Sequence, residues 1–243
     1  MSTLKSNVIE PATGTDLTLG AAGDVIDVFS DTLQLNTWKD SGGNTLFTSD
    51  GSGNLSSVNS ALDIGGGPNL ILSQTASSSS TIDFTSGIDT TYDKYMFVFV
   101  SMHPATNTTN FSFQCSTDGG SNYNVTMTTT FFWAYNQEGT SNDGLEAHAG
   151  SDQAQGTAYQ KLTHETGNDN DQSCAGILYL YAPSSTTYVK HFYARVQNYS
   201  GDDKSYDTYI AGYFNTTTAL NAISFKFSSG NIDAGKIKMY GCR

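Results

Sequence analysis

Apolar and polar residues alternate through the last two-thirds of this 243-residue chain, and this alternation constrains its fold more than any other feature. In NFSFQC the alternating apolar residues are Phe111, Phe113 and Cys115. A period of two is typical of a strand that buries one face. The pattern recurs in about eight to ten runs after residue 69, and no segment keeps a helical period. We therefore predict an all-β fold, with a β-sandwich of jelly-roll type in this region.

Three runs predict which strand faces are buried. In KYMFVFVSM both alternating sets are apolar, which predicts a central strand with both faces covered. In AISFKFSS we predict that the apolar side is buried. The polar side, which carries Ser224, Lys226 and Ser228, is predicted to face solvent. The run GKIKMYG predicts a last strand with Ile237 and Met239 inward, paired into the sandwich close to the end of the chain.

The first 65 residues have a different sequence pattern. Apolar pieces of about 3–6 residues, such as LQLNTW and NTLFTS, alternate with Gly/Asp turns, and this length is the short end of the range for strands. Such pieces cannot bury both of their faces alone. We predict an attachment or trimerisation segment of short strands at residues 1–65 and a sandwich domain at 66–243, with copies of the chain winding together as a homotrimer.

The charge of the chain bears on its partners. The formal net charge is −12, and the acids are mostly Asp in Gly/Ser/Asn-rich turns, where Asp bonds to its own backbone. An acidic surface repels phosphates and anionic lipids, so nucleic-acid binding is disfavoured. The amino terminus has no apolar leader core and no run is long enough for a membrane span, so we expect neither a signal peptide nor membrane insertion.

The three cysteines do not suggest a disulfide framework, because their number is odd and no CxxC is present. Cys115 and Cys174 lie in strand-like runs and are expected to be small buried hydrophobes.

No motif predicts catalysis. The chain has no nucleophile elbow, HExxH or P-loop, and no pair of carboxylates stands out for glycoside hydrolysis. We therefore expect a protein that is not an enzyme, with no catalytic residue and no cofactor. The nearest cluster with metal-ligand character is His164, Glu165, Asp169 and Asp171, but it lacks the oxygen ligands and spacing of a calcium loop, so no metal site is predicted.

Aromatic residues next to polar loops are the best candidates for recognition. A sugar needs a flat apolar surface for its ring and polar groups for its hydroxyls, and the region that follows the run FFWAY offers both. The loops at 136–160 and 164–173 are the segments expected to bind. The alternative is that the aromatic run belongs to the core, which is the more common place for Trp. The candidate binding residues are Trp133, Tyr135, Asn136, Gln137, His148 and Tyr159.

Several motifs resemble those of a family of tailed-bacteriophage structural proteins, found in marine and cyanobacterial phages and described as tail-fibre-like or appendage proteins. The motifs are DLTLGAAGDVI, WKDSGGNTLFTSDGSGNLSSVNS, TIDFTSGIDTTYDKYMFVF, STDGGSNYNVT, TTYVKHFY and SSGNIDAGKIKMYG. The resemblance covers residues 14 to 241, and the closing strand is its most specific part. Met239 and Cys242 stand where the family is expected to have Leu or Ile.

The resemblance implies a virion component that is assembled in the host cytoplasm. It would be attached to other virion proteins through its amino-terminal segment and would display a jelly roll that adheres to host-surface polysaccharide. Heptads are absent, so the chain lacks the coiled-coil shaft of a long fibre. Capsid decoration or a head fibre, a stand-alone carbohydrate-binding module, and a polysaccharide-degrading tailspike remain as alternatives.

Overall fold

The computed structural model describes residues 37–40, 42–52, 55–58 and 67–242. The chain divides between residues 64 and 65 into two units, which are described separately. Within the described residues the only helical element is a single 3-10 turn at Ala149–Ser151, and the chain is otherwise built from antiparallel strands. The all-β prediction is confirmed.

The first unit contains a three-stranded antiparallel sheet. Its strands are β1 (Thr37–Lys39), β2 (Thr45–Ser49) and β3 (Leu55–Val58), paired in chain order. Asp40 shapes the β1–β2 turn, because its carboxylate accepts hydrogen bonds from the backbone N–H groups of Gly42 and Asn44 at 2.9 and 2.8 Å. Trp38 stacks on Phe47 across the two strands with ring centroids 5.6 Å apart. The short strands predicted here are present in this range.

Between residues 67 and 242 the chain forms twelve strands: β4 (Asn69–Thr75), β5 (Ile82–Phe84), β6 (Lys94–Pro104), β7 (Phe111–Ser116), β8 (Met127–Gln137), β9 (Asp143–Ala147), β10 (Gln160–Lys161), β11 (Cys174–Tyr181), β12 (Lys190–Tyr199), β13 (Lys204–Phe214), β14 (Ala222–Phe227) and β15 (Ile232–Cys242). Eight of them form one sheet, in the order β4-β15-β6-β11-β12-β13-β8-β9. The other four form a second sheet, in the order β10-β7-β14-β5. We call these the large sheet and the small sheet.

Phenylalanines from both sheets form the core between them. Phe225 of the small sheet packs against Phe97 and Phe99 of the large sheet, with ring centroids 5.6 and 5.3 Å apart. Phe113 of the small sheet packs edge-on against Phe192 of the large sheet at 5.0 Å. Such offset and edge-on pairs are the favoured arrangements of aromatic rings. The two sheets therefore form a sandwich, as the alternation predicted.

The cysteines behave as predicted. Cys115 and Cys174 are buried and unpaired, and burial raises the pKa of each thiol. A thiol held in its protonated form packs as a small hydrophobe.

The last strand is interior to the large sheet. β15 pairs with β4 on one side and β6 on the other, and Ile237 and Met239 are fully buried. The sequence prediction for this strand is confirmed.

Two predictions about strand faces were wrong. The outward face of β6 is only partly covered, because Met96 and Val98 are half-buried and Val100 is exposed. Conversely, Ser224 on the predicted wet face of β14 is completely buried. Strand alternation gives the two faces of a sheet, but coverage of each face depends on segments that are distant in sequence.

Candidate functional site

A polar pocket of about 550 Å³ lies at one end of the outward face of the large sheet. It is lined by three carboxylates, two amides and three hydroxyls: Glu138, Asp171, Asp203, Asn136, Gln197, Ser173, Tyr199 and Ser205. No Lys or Arg is part of this lining. We call it the polar pocket.

Neighbouring strand ends bring these side chains together. In the sheet register, Ser205 of β13 pairs with Tyr199 of β12 on one side and with Asn136 of β8 on the other. Paired residues point to the same face, so the three side chains form the floor. The Glu138 backbone N–H donates to the carbonyl oxygen of Asp203 at 2.9 Å, which holds the end of β8 against the β12–β13 turn. The loop before β11 adds Asp171 and Ser173.

Tyr199 lies between two of the carboxylates. Its hydroxyl is 3.1 Å from Glu138 Oε2 and 3.2 Å from Asp203 Oδ1. A phenol has a single proton, so it donates to one carboxylate at a time and leaves the other with accepting capacity. The Glu138 carboxylate is the main cause that raises the pKa of Tyr199 to about 12, because it accepts the phenol proton and opposes a phenolate. The pocket therefore offers mainly hydrogen-bond acceptors beside an aromatic ring.

The structure places Trp133 and His148 in contact, with Trp133 buried and His148 half-buried. Trp133 is 4% exposed. Its ring packs against His148 at 4.6 Å and is stacked on His164 at 4.3 Å, so two loops close over it. Trp133 therefore belongs to the core, which was the alternative interpretation of the aromatic run.

The other four predicted binding residues are divided between different places. Tyr135 is half-buried, packs against Tyr206 at 5.7 Å and donates to Glu146 at 3.3 Å. Asn136 lines the polar pocket. The Gln137 side-chain N–H donates to the carbonyl oxygen of Asp202 at 3.0 Å, which supports the pocket turn. Tyr159 lies apart from them, against Lys226 on the outward face of the small sheet.

Sequence reasoning missed most of the pocket lining, including Gln197, Tyr199 and Asp203. A signal was available in RVQNYSGDDKSY, where Gln197 and Tyr199 alternate at the end of a strand just before an acidic turn. The acids of that turn were interpreted only as turn formers. Asp203 does adopt a positive φ of 61°, as a turn residue does, and its side chain also lines the pocket.

Two negative findings apply to the residues that the structure describes. Among them, no group of three or more His, Cys, Asp or Glu side chains is arranged to hold a metal ion, and this includes the loop 164–171. In the same part of the chain, no helix has the length and apolar character required to cross a membrane.

No family model, curated protein or solved structure matches the chain. The structure defines the chain as an antiparallel β-sandwich with a polar, acceptor-rich surface pocket. The phage resemblance of the sequence motifs stays a hypothesis, and the function is argued from the pocket and the strand order.

Proposed function

We propose that the chain is a non-enzymatic structural protein of a tailed-phage virion, a short trimeric appendage that adheres to host-surface glycan. The observation that carries this proposal is the polar pocket, because its three carboxylates and two amides converge beside Tyr199 on an exposed face. Sugar hydroxyls need acceptors of this kind, and an aromatic ring offers a flat surface to a sugar ring. The phage-like sequence motifs supply the virion context.

The strand order supports a jelly roll within the sandwich. If β4, β5, β6, β7, β10, β11, β14 and β15 are taken as strands one to eight, the large sheet begins one-eight-three-six and the small sheet is two-seven-four-five. This is the order in which a jelly roll wraps its two sheets. The four remaining strands are two hairpins, β8-β9 and β12-β13, which extend the large sheet beyond β11.

These two hairpins provide most of the polar pocket. Asn136 lies on β8, Gln197 and Tyr199 lie on β12, and Ser205 lies on β13. An eight-stranded jelly roll does not include these hairpins, although their inward side chains add to the core here. Strands that are added to the eight and carry a polar pocket favour a role in recognition.

The first unit supports association with other copies. In the part of residues 37–58 that the structure describes, Trp38, Leu55 and Val58 are exposed. A three-stranded sheet with exposed apolar side chains is a weak unit on its own, and pairing with equivalent sheets of sister chains would bury them. We propose that residues 1–65 form the trimer and bind other virion proteins.

Substitution of pocket carboxylates tests the adhesion. We expect Glu138→Gln and Asp203→Asn each to weaken binding of short neutral oligosaccharides at least tenfold, because an amide replaces an acceptor-only group. Isothermal titration of the full chain against a panel of neutral disaccharides measures this effect. Asp152→Asn is the matched control, since this exposed acid does not line the pocket. Failure of every disaccharide and of intact host-surface polysaccharide to bind would overturn the proposal.

Labelling of intact particles tests the virion assignment. We expect labelled antibody to mark the tail, and marking of the shell would instead support capsid decoration or a head fibre. Light scattering of the isolated protein tests the trimer against the mass of one chain, 26.0 kDa. A monomer that binds sugar would favour a stand-alone carbohydrate-binding module.

A further inference from the structure

The outward face of the large sheet carries a second concavity at the other end of β12. This groove of about 450 Å³ has small side chains at its floor, Ala211, Thr128 and Thr130, from β13 and β8. Its walls are rings, those of Tyr181, His191, Tyr193 and Tyr213. The strand register explains the shape, because Ala211 pairs with Tyr193 on one side and with Thr130 on the other. We call it the aromatic groove.

Tyr193 is an exposed wall of the groove. It is 45% exposed, and its ring packs against Tyr179 at 5.0 Å and Tyr181 at 6.0 Å. Neighbouring rings restrict its rotamers, so little side-chain entropy remains to be lost when a ligand stacks on it. An ordered, exposed ring of this kind is suited to bind a flat apolar surface.

A stacked pair of aromatic rings lies between the aromatic groove and the polar pocket. Phe132 of β8 and Tyr209 of β13 stack with centroids 4.9 Å apart and planes 2° from parallel, and Phe132 is 41% exposed. The Arg195 guanidinium lies 5.1 Å from the Tyr209 ring centre and donates to both oxygens of Asp207. The positive charge at the centre of this face is therefore already paired.

These three features follow one another along the same strands. On β12 the outward side chains are His191, Tyr193, Arg195, Gln197 and Tyr199, which run from the aromatic groove to the polar pocket. The eight steps from His191 to Tyr199, at ~3.3 Å each, give a length of about 26 Å. This length accommodates several sugar rings in a row, and it greatly exceeds a single ring. We call the surface from the aromatic groove to the polar pocket the outward strip.

We propose that the outward strip binds one extended, uncharged polysaccharide chain along the direction of β12, with sugar rings stacked at Tyr193 and Phe132 and hydroxyls bonded in the polar pocket. This inference rests on the proposed glycan adhesion and specifies the ligand class and its path. The chain carries a net charge of −12 and the pocket contains three carboxylates, so a sulfated or uronate-rich polysaccharide would be repelled. A protein strand cannot pair here, because the face presents side chains and not a free sheet edge.

The dependence of affinity on glycan length tests the proposal. The probes are neutral oligosaccharides of two, four and six units from a series that binds, measured by isothermal titration with the full chain. We expect affinity to rise at least tenfold from two to six units. We expect Tyr193→Ala to lower hexasaccharide affinity about tenfold and to leave disaccharide affinity unchanged, because only the longer chain reaches this ring. Tyr188→Ala is the matched control, since Tyr188 is 72% exposed and does not line the groove.

The outcomes distinguish this proposal from the adhesion on which it rests. If affinity is the same for two and six units while Glu138→Gln still weakens it, adhesion stands and the outward strip is not a binding path. The same conclusion follows if uronate-rich glycans bind better than neutral ones. If the groove instead binds a second copy of the chain, Tyr193→Ala will change the mass of the assembly and leave hexasaccharide affinity unchanged. Thermal melts of Tyr193→Ala verify that the variant is folded, and Phe132→Ala provides an independent second test of the path.

Discussion

The two outward faces of the sandwich differ in a way that strand polarity does not predict. The outward residues of the small sheet are mainly polar, yet Ser112, Gln114 and Ser224 are buried. The outward residues of the large sheet include many aromatics, yet Phe132 and Tyr193 are exposed. Polar side chains are thus covered and apolar ones are open to solvent, which is the reverse of the usual expectation. The exposed apolar face requires an explanation in terms of function, and the covered polar face requires one in terms of hydrogen bonds.

Hydrogen bonds to the covering segments satisfy the Gln114 side chain on the small sheet. The Gln114 side-chain amide nitrogen lies 3.1 Å from the carbonyl oxygens of Val125, Thr157 and Ala158, and its oxygen accepts from the Cys115 N–H at 2.8 Å. Gln114 therefore binds the segments 117–126 and 153–159 onto the sheet. The turn within the first of them is held by the Asp118 carboxylate, and its bonds from the Ser116 hydroxyl and from Asn122 lower the pKa of Asp118 to about 2.

Replacement of Gln114 should have the largest effect on stability. We expect Gln114→Ala to lower the free energy of unfolding by about 3 kcal/mol, because several buried polar groups lose their partners at once. Gln197→Ala is the counterpart on the exposed face and should change it by less than ~0.5 kcal/mol. Urea unfolding followed by fluorescence measures both. Equal losses for the two glutamines would mean that the faces are not covered differently.

A pair of tyrosines tests the same contrast with aromatic residues. The Tyr159 ring lies 4.3 Å from Lys226 Nζ over the small sheet, and burial raises the pKa of its hydroxyl. We expect Tyr159→Ala to cost about 1–2 kcal/mol of stability through lost packing and cation–π contact, with no change in glycan affinity. Tyr193→Ala should show the opposite pattern. A loss of glycan affinity in Tyr159→Ala as large as that in Tyr193→Ala would contradict the division of roles between the faces.

Local alternation was sufficient to predict the strands and the inward residues. Phe111, Phe113 and Phe225 were assigned to the inner face from sequence and are buried there, because a period of two is a property of each strand by itself. Coverage of the outward faces could not be predicted in this way. Ser224 is buried beside Gln114, which bonds to residues 66 to 99 positions before Ser224 in the chain, and single-sequence patterns contain no information about such contacts.

The candidate site shows the same limit. Asn136 was predicted from its position after an aromatic strand, and it does line the polar pocket. Trp133 was nominated on the same grounds, but the loops that carry His148 and His164 fold over it. The pocket acids were missed because turn formation alone explains an Asp in a Gly/Asn turn, where its carboxylate bonds to the backbone. Asp203 serves both as a turn residue and as a pocket wall, and only the tertiary structure separates the two roles.

His164 gives a third and smaller test, which concerns how covering a titratable side chain changes the stability of the fold. Its ring is stacked on Trp133, and burial is the main cause that lowers its pKa below the usual 6.5. The Glu165 carboxylate at 3.7 Å and Asp202 oppose this shift, whereas His148 and Lys161 add to it. The unfolded chain therefore binds a proton at this residue more readily than the folded one does. The stabilisation is complete above pH 6.5 and is lost progressively as the pH falls below that value.

Comparison of wild type with His164→Gln isolates this contribution, because other titrating groups are common to both proteins. We expect the wild type to be the more stable at pH 7.5, since the imidazole stacks on Trp133. Its advantage should narrow at pH 5.5, because the unfolded chain takes up a proton at the half-buried His164 ring more readily than the folded chain does. Urea unfolding at the two pH values measures the advantage. An advantage of the same size at both would show that the ring titrates alike in the folded and unfolded chain, and that the loops over Trp133 do not exclude water from it.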